Sequence, residues 1–200
     1  MKRAVFLCAV ACAAEPRLWY SKSFPGSQPA YVEIALERNG ACEYKEAPND
    51  DYPIKLELSR ADTDEMFGLA DKLGRFTRPL ESPLKVARMG IKTFRYLDGA
   101  KQIEVQFNFT EDLDGRALHD WFEKISETGQ YYIALERSVK YEKLGVNKAI
   151  LLFETALERK RIVSPALFLP LLDRVAKNEA YINMARNRAA ALAEAIRAAK

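Results

Sequence analysis

The sequence predicts an α+β fold: an antiparallel sheet of about five strands in the order ββ-β-α-ββ-α, covered by helices on one face and followed by an all-helical C-terminal extension. Three observations predict it. Residues 32–44 and 93–109 each alternate apolar with polar side chains around a turn dipeptide, Asn39-Gly40 in the first and Asp98-Gly99 in the second. Strand side chains point to opposite faces in turn, and Asn-Gly or Asp-Gly supplies the positive φ angles of a tight turn, so both stretches read as β-hairpins. Residues 60–73 and 116–126 repeat apolar residues at helical spacing, and from Gln130 onward only the helical period remains. Short turns join antiparallel strands, whereas parallel strands need long crossovers, which makes the sheet antiparallel.

Taken in order, the chain opens with Lys2 and Arg3, an apolar run over residues 4–12, and an A-x-A site at Ala11-Cys12-Ala13. These are the three parts of a secretory signal peptide, with cleavage near Ala13 or Ala14. Two other readings stay open: a lipoprotein site with Cys12 lipidated, and a buried N-terminal strand of a cytoplasmic protein. Residues 21–29 are rich in Ser, Pro and Gly and read as an irregular lead-in. Val32, Ile34 and Leu36, then Cys42 and Tyr44, mark the covered face of the first hairpin, and Ile54, Leu56 and Leu58 a third strand.

Ser59 with Asp62 three residues on predicts a capped helix start, Met66, Leu69, Ala70 and Leu73 its apolar face, and Gly74 its C-terminal cap. Residues 77–83 form a loop, and Gly90 suggests a bend before the second hairpin. There Phe94, Tyr96, Val105 and Phe107 are expected inward. Leu118, Trp121, Phe122 and Ile125 trace the next helix. Beyond Gln130, Gly145 reads as a helix break, Ser164-Pro165 as a helix start, and Pro170 as a kink or a true beginning. The expected organisation is a signal peptide at 1–14, an α+β domain at 15–128 and a helical extension at 129–200.

With 48% hydrophobic and 30% charged residues in 200, the chain has a globular composition with enough material for a real core. A membrane helix needs about 20 consecutive apolar residues, and none follows the opening run. Removing the signal peptide would take away Cys8 and Cys12, leaving Cys42, and a single thiol makes no internal disulfide. Removing Lys2 and Arg3 lowers the formal charge from +3 to +1. Residues 158–200, with nine basic and four acidic side chains, carry +5. Such asymmetry singles out Arg186, Arg188 and Arg197 as candidate contacts to an anionic partner, against the plainer reading of a solvated surface.

The chemistry the sequence offers is sparse. His119 is the single histidine, so no site with two histidines can form within one chain; its expected role is a boundary residue paired with Glu123. Cys42 shares a face with Tyr44 and has no basic neighbour, which predicts an inert core thiol. The acidic stretch Glu111-Asp112-Leu113-Asp114-Gly115 looks like a calcium loop, but the register puts Trp121 where the bidentate Glu belongs, so it reads as a turn with a capping Asp. Asn49-Asp50-Asp51 reads likewise as a turn. No nucleophile elbow, phosphate loop, dinucleotide fingerprint or zincin motif occurs. No cofactor or metal is expected.

The stretch Gly26-Ser27-Gln28-Pro29-Ala30-Tyr31-Val32-Glu33-Ile34, continuing to Asn39-Gly40-Ala41-Cys42-Glu43-Tyr44, resembles the opening of a family of uncharacterised secreted bacterial domains. There a G-x-x-P-x-Y lead-in precedes a strand, a Gly turn and a strand ending in Tyr, and the resemblance runs to Ile125 through a capped helix, a hairpin and a second helix. That family commonly has two cysteines flanking the lead-in glycine, where this chain has Phe24 and Gln28, so the resemblance implies no disulfide or redox role for the loop. It implies secretion and fold, and carries no activity.

Together these readings point to a non-enzymatic extracytoplasmic protein, a binding or interaction module whose partner is another protein or an envelope component. Nucleic acid is not expected as a partner. The alternatives are an enzyme with a carboxylate- or tyrosine-based site, and a binder of anionic polymers or lipid surfaces through the basic C-terminal helices.

Overall fold

A computed structural model describes residues 15–199. The expected signal peptide at 1–14, with Cys8 and Cys12, lies outside the described residues. Six strands form one antiparallel sheet: β1 Arg17–Ser23, β2 Tyr31–Glu37, β3 Ala41–Lys45, β4 Ile54–Glu57, β5 Ile91–Asp98 and β6 Lys101–Phe107, in the spatial order β4-β3-β2-β1-β5-β6. Five α-helices accompany them: α1 Arg60–Lys72, α2 Leu113–Tyr141, α3 Val146–Glu158, α4 Leu169–Ala176 and α5 Asn183–Ala198.

The α+β class holds, and the sheet has one strand more than expected. Residues 21–23, read as irregular, belong to β1, which pairs with β2 on one side and β5 on the other and so joins the two hairpins into one sheet. Leu18 and Tyr20 face the helices from it, both fully buried. Rows of side chains then run across the covered face in register. One row is Ile54, Tyr44, Ile34, Tyr20, Phe94 and Val105; the next is Leu56, Cys42, Leu36, Leu18, Tyr96 and Ile103. The inward face expected for the second hairpin is therefore correct, although Val105 is only half-buried.

Helix ends follow local chemistry. Ser59 caps α1, its Oγ accepting the Asp62 N–H at 3.1 Å, and Gly74 ends it at φ +63, a conformation costly for any residue with a Cβ. Asp112 caps α2 by accepting the Gly115 N–H at 2.9 Å, which fixes the acidic stretch as a helix start. Pro170 stands in the first turn of α4, where a missing N–H costs nothing, so it marks a beginning rather than a kink. Ser164 makes no side-chain cap; the short 3-10 turn Pro165–Phe168 follows it.

The boundary expected at 128/129 falls inside α2, a helix of 29 residues with no break there. Its first half packs Leu118, Phe122 and Ile125 onto the sheet, in the same apolar cluster as Met66, Phe67 and Leu69 of α1. Its second half gives Leu135 and Val139 to another cluster built with α3, α4 and α5, where Phe153 and Phe168 stack with ring centres 4.0 Å apart. At the crossover, Gly129 lies against the buried ring of Tyr44: a Cβ there would sit 2.5 Å from Tyr44 Cδ1.

Candidate functional site

Alternation along β1 places Lys22 on the covered face, two residues beyond Tyr20, and the register with β5 sets Lys92 directly opposite it. Like charges facing each other across strands are destabilising unless compensated. The compensation comes from α2. Glu123 accepts from Lys22 Nζ at 3.1 and 3.4 Å and from the Tyr20 hydroxyl at 3.2 Å. His119, one turn earlier, brings Nε2 within 3.3 Å of the same carboxylate, yet the angle completes no aligned hydrogen bond. Its ring meets Tyr20 and Phe107 edge-on. The expected His119–Glu123 pairing is present as an i,i+4 contact, with Lys22 and Tyr20 as the stronger partners.

Lys92 is 6% exposed and donates to the Asn108 carbonyl at 2.6 Å. Burial and the neighbouring Lys22 lower its pKa, partly opposed by Glu123 and Glu81. Burial alone would raise the Glu123 carboxyl, but the contacts with His119 and Lys22 outweigh it and hold the group down at about 2. Burial, then the Glu123 charge, keep the Tyr20 phenol well above its ordinary value. The result is a fixed-charge clamp: a carboxylate that stays ionised and a phenol that stays protonated, tying the start of α2 to the end of the sheet.

The clamp has a measurable signature. Because the folded-state pKa of Glu123 lies below the ordinary 4.5, its contribution is complete above that value and is lost as pH falls toward about 2. Glu123→Gln should therefore cost about 2 kcal/mol at neutral pH, allowing for partial exposure, and flatten the acid limb of stability between those two values. Urea denaturation across pH measures both.

Other candidates resolve individually. Cys42 is 2% exposed between Leu36 and Leu56, and burial pushes its thiol up, as expected for an inert core residue. Asp50 accepts the Tyr52 N–H at 2.9 Å, a turn contact. Among the described residues, no group of three or more His, Cys, Asp or Glu side chains could hold a metal ion.

Arg186, Arg188 and Arg197 are not brought together. Arg188 donates to Asn147 at 2.7 Å and stands 3.1 Å from Glu154 on α3. Arg197 reaches both Asp173 oxygens, at 2.7 and 2.6 Å, and Glu194 at 3.0 Å. Arg186 makes two long contacts of 3.4 Å, to the Ala176 carbonyl and to Asn183. Each contacts a separate set of partners among the described residues.

A wide concavity lies at the opposite corner of the sheet from the clamp. It holds about 970 Å³ between the outer edge of β4 and a wall made by residues 163–167 and the end of α5 at Ile196 and Ala199. The backbone parity of β4 follows from its register. Leu58 N–H donates to the Gly40 carbonyl, so Leu56 and Ile54 also turn their backbone groups toward β3, and Lys55 and Glu57 turn theirs outward. Pro53, lacking an N–H, closes this free ladder at one end, and Ser59, already capping α1, closes it at the other. Neither Lys55 nor Glu57 enters an ion pair among the described residues.

Sequence reasoning missed Lys22 and Lys92, and the signal that could have found them was parity: a lysine two residues after Tyr20, and another two before Phe94, must share the apolar face if those stretches are strands. The outward groups of β4 needed the sheet order, which no local pattern contains. No family model matches the chain, and no similar protein emerges from a search of the curated proteins.

Proposed function

We propose that the chain is a non-catalytic binding module of a secreted or periplasmic bacterial protein, and that it takes its partner as an extended protein segment along the free edge of β4. The observation that carries the binding reading is the pair of outward-facing backbone groups at Lys55 and Glu57 beside an apolar wall. Only another extended backbone offers donors and acceptors at that spacing, the mode known as strand addition. Charge selects further: the segment carries an acidic side chain opposite Lys55 and a basic one opposite Glu57, neither of which enters an ion pair among the described residues. The compartment rests on Lys2, Arg3, the apolar run and the A-x-A site. The enzymatic reading gains little from the clamp, whose groups are already engaged with one another.

Two measurements test this. N-terminal sequencing of the protein from cells should find a start near Ala14 or Glu15 outside the cytoplasm; an intact start inside it would overturn the compartment. Lys55→Pro removes an outward N–H without touching the β3 ladder, so stability should fall by less than about 1 kcal/mol while partner capture drops at least tenfold. Undiminished capture by a folded Lys55→Pro variant would place the partner elsewhere.

A further inference from the structure

Shortly before β5, over residues 83–89, the chain runs in the open. Within residues 84–91, Leu84, Val86, Met89 and Ile91 are 53%, 41%, 56% and 56% exposed, and Lys85 and Arg88 lie among them as exposed cations. Exposed apolar side chains scattered singly mean little; four within eight residues do not scatter. The segment is also held in place. Ser82 N–H donates to the Phe109 carbonyl at 2.8 Å and Ser82 Oγ to Glu111 at 2.7 Å, fixing its start. The Asn108 side chain grips its middle, accepting from Met89 N–H at 2.7 Å and donating to the Ala87 carbonyl at 3.1 Å. Glu81, three residues before the strap, accepts the Asn108 N–H. The outcome is an anchored strap that presents apolar and basic side chains to the outside with no acid among them.

We infer that this strap docks on an anionic lipid surface. Charge complementarity chooses the occupant: among the described residues Lys85 and Arg88 enter no ion pair, whereas Arg188 and Arg197 have acidic partners built in, Glu154 for the one and Asp173 for the other. An anionic polysaccharide would engage the two cations and leave four apolar side chains in water. A bilayer interface takes both, the apolar residues entering at headgroup depth while the cations meet lipid phosphate. The strap sits where β5 begins, at the far end of the sheet from the start of β1 and diagonally across from the β4 edge, so a bound membrane would leave that edge accessible. This inference stands independently of strand addition at β4.

Co-sedimentation with vesicles tests it, using phosphatidylcholine alone and phosphatidylcholine mixed with phosphatidylglycerol. Binding to the mixed vesicles, absent on the neutral ones and weakening with salt, is expected. The Lys85→Gln/Arg88→Gln variant should bind roughly 30-fold more weakly, since each cation near such a surface is worth about fivefold. Leu84→Ser/Met89→Ser should also weaken binding while keeping its salt dependence, and Lys55→Pro should leave it unchanged. Because the strap is exposed, the two strap variants should melt like the parent, which keeps misfolding out of the comparison. Equal binding to neutral vesicles, binding indifferent to both strap variants, or a concentration-dependent dimer abolished by Leu84→Ser/Met89→Ser would each overturn the inference.

Discussion

Gly129→Val should destabilise the chain by about 3 kcal/mol, more than a glycine substitution inside a helix would ordinarily do. Replacing a helical glycine usually helps, by up to about 1 kcal/mol for alanine, because it reduces the freedom of the unfolded chain. Here the added atom meets aromatic carbon. A Cβ would lie 2.5, 2.6 and 2.8 Å from three ring atoms of Tyr44. That ring is 1% exposed, sits between Ile34 and Ile54 in its row, and is tethered by its hydroxyl to Glu46 at 2.8 Å. Neither the ring nor the helix can yield cheaply. Pairing Gly129→Val with Tyr44→Ala should recover part of the loss relative to the sum of the single variants, a coupling that urea denaturation of the four proteins would expose. Strict additivity would mean that the contact is not what keeps residue 129 small.

Phe94→Ala should cost about 4 kcal/mol, within the range for deleting a fully buried phenylalanine. Phe94 is completely buried, and four aromatic rings surround it: Tyr20, Phe76, Phe107 and Phe122, with centre distances of 5.8, 5.3, 4.9 and 5.6 Å. They come from β1, the turn after α1, β6 and α2, so the cavity would open where four segments meet and none can move in alone to fill it. Phe107→Ala, nearer the end of the sheet, should fall at the lower end of the same range, about 3 kcal/mol. Thermal or urea unfolding orders the two, and a smaller loss at Phe94 than at Phe107 would relocate the centre of the core.

Much of this architecture could be read from local pattern, and the failures share one cause. The hairpins announced themselves because a turn dipeptide and a period of two occur together at Asn39-Gly40 and Asp98-Gly99. β1 has the same period in Leu18 and Tyr20 but no turn dipeptide of its own, because neither neighbour is reached by a two-residue turn. Its covered face also ends in Lys22, a residue that looks like the close of an apolar pattern and is in truth its continuation under a carboxylate. The change to a purely helical pattern from Gln130 reads as a boundary at 128/129, whereas α2 runs through it, with Gly129 lying against the ring of Tyr44. The clamp and the β4 edge depend on which segments lie side by side, information that resides in register.

The central position of β1 also sets an order of events. β2 and β3 can close on each other as soon as residue 45 exists, and β5 and β6 once residue 107 does. The β1–β5 ladder joins residues 17–23 to residues 91–97, so the middle of the sheet must wait for a strand made much later. Until then, a chain emerging from the ribosome or from a membrane pore exposes one flank of its innermost strand, with Leu18 and Tyr20 still wet. Non-local closure of this kind is slow and leaves an open edge vulnerable to foreign pairing. For this protein the vulnerable interval ends when β5 pairs with β1, the same step that sets Lys92 opposite Lys22.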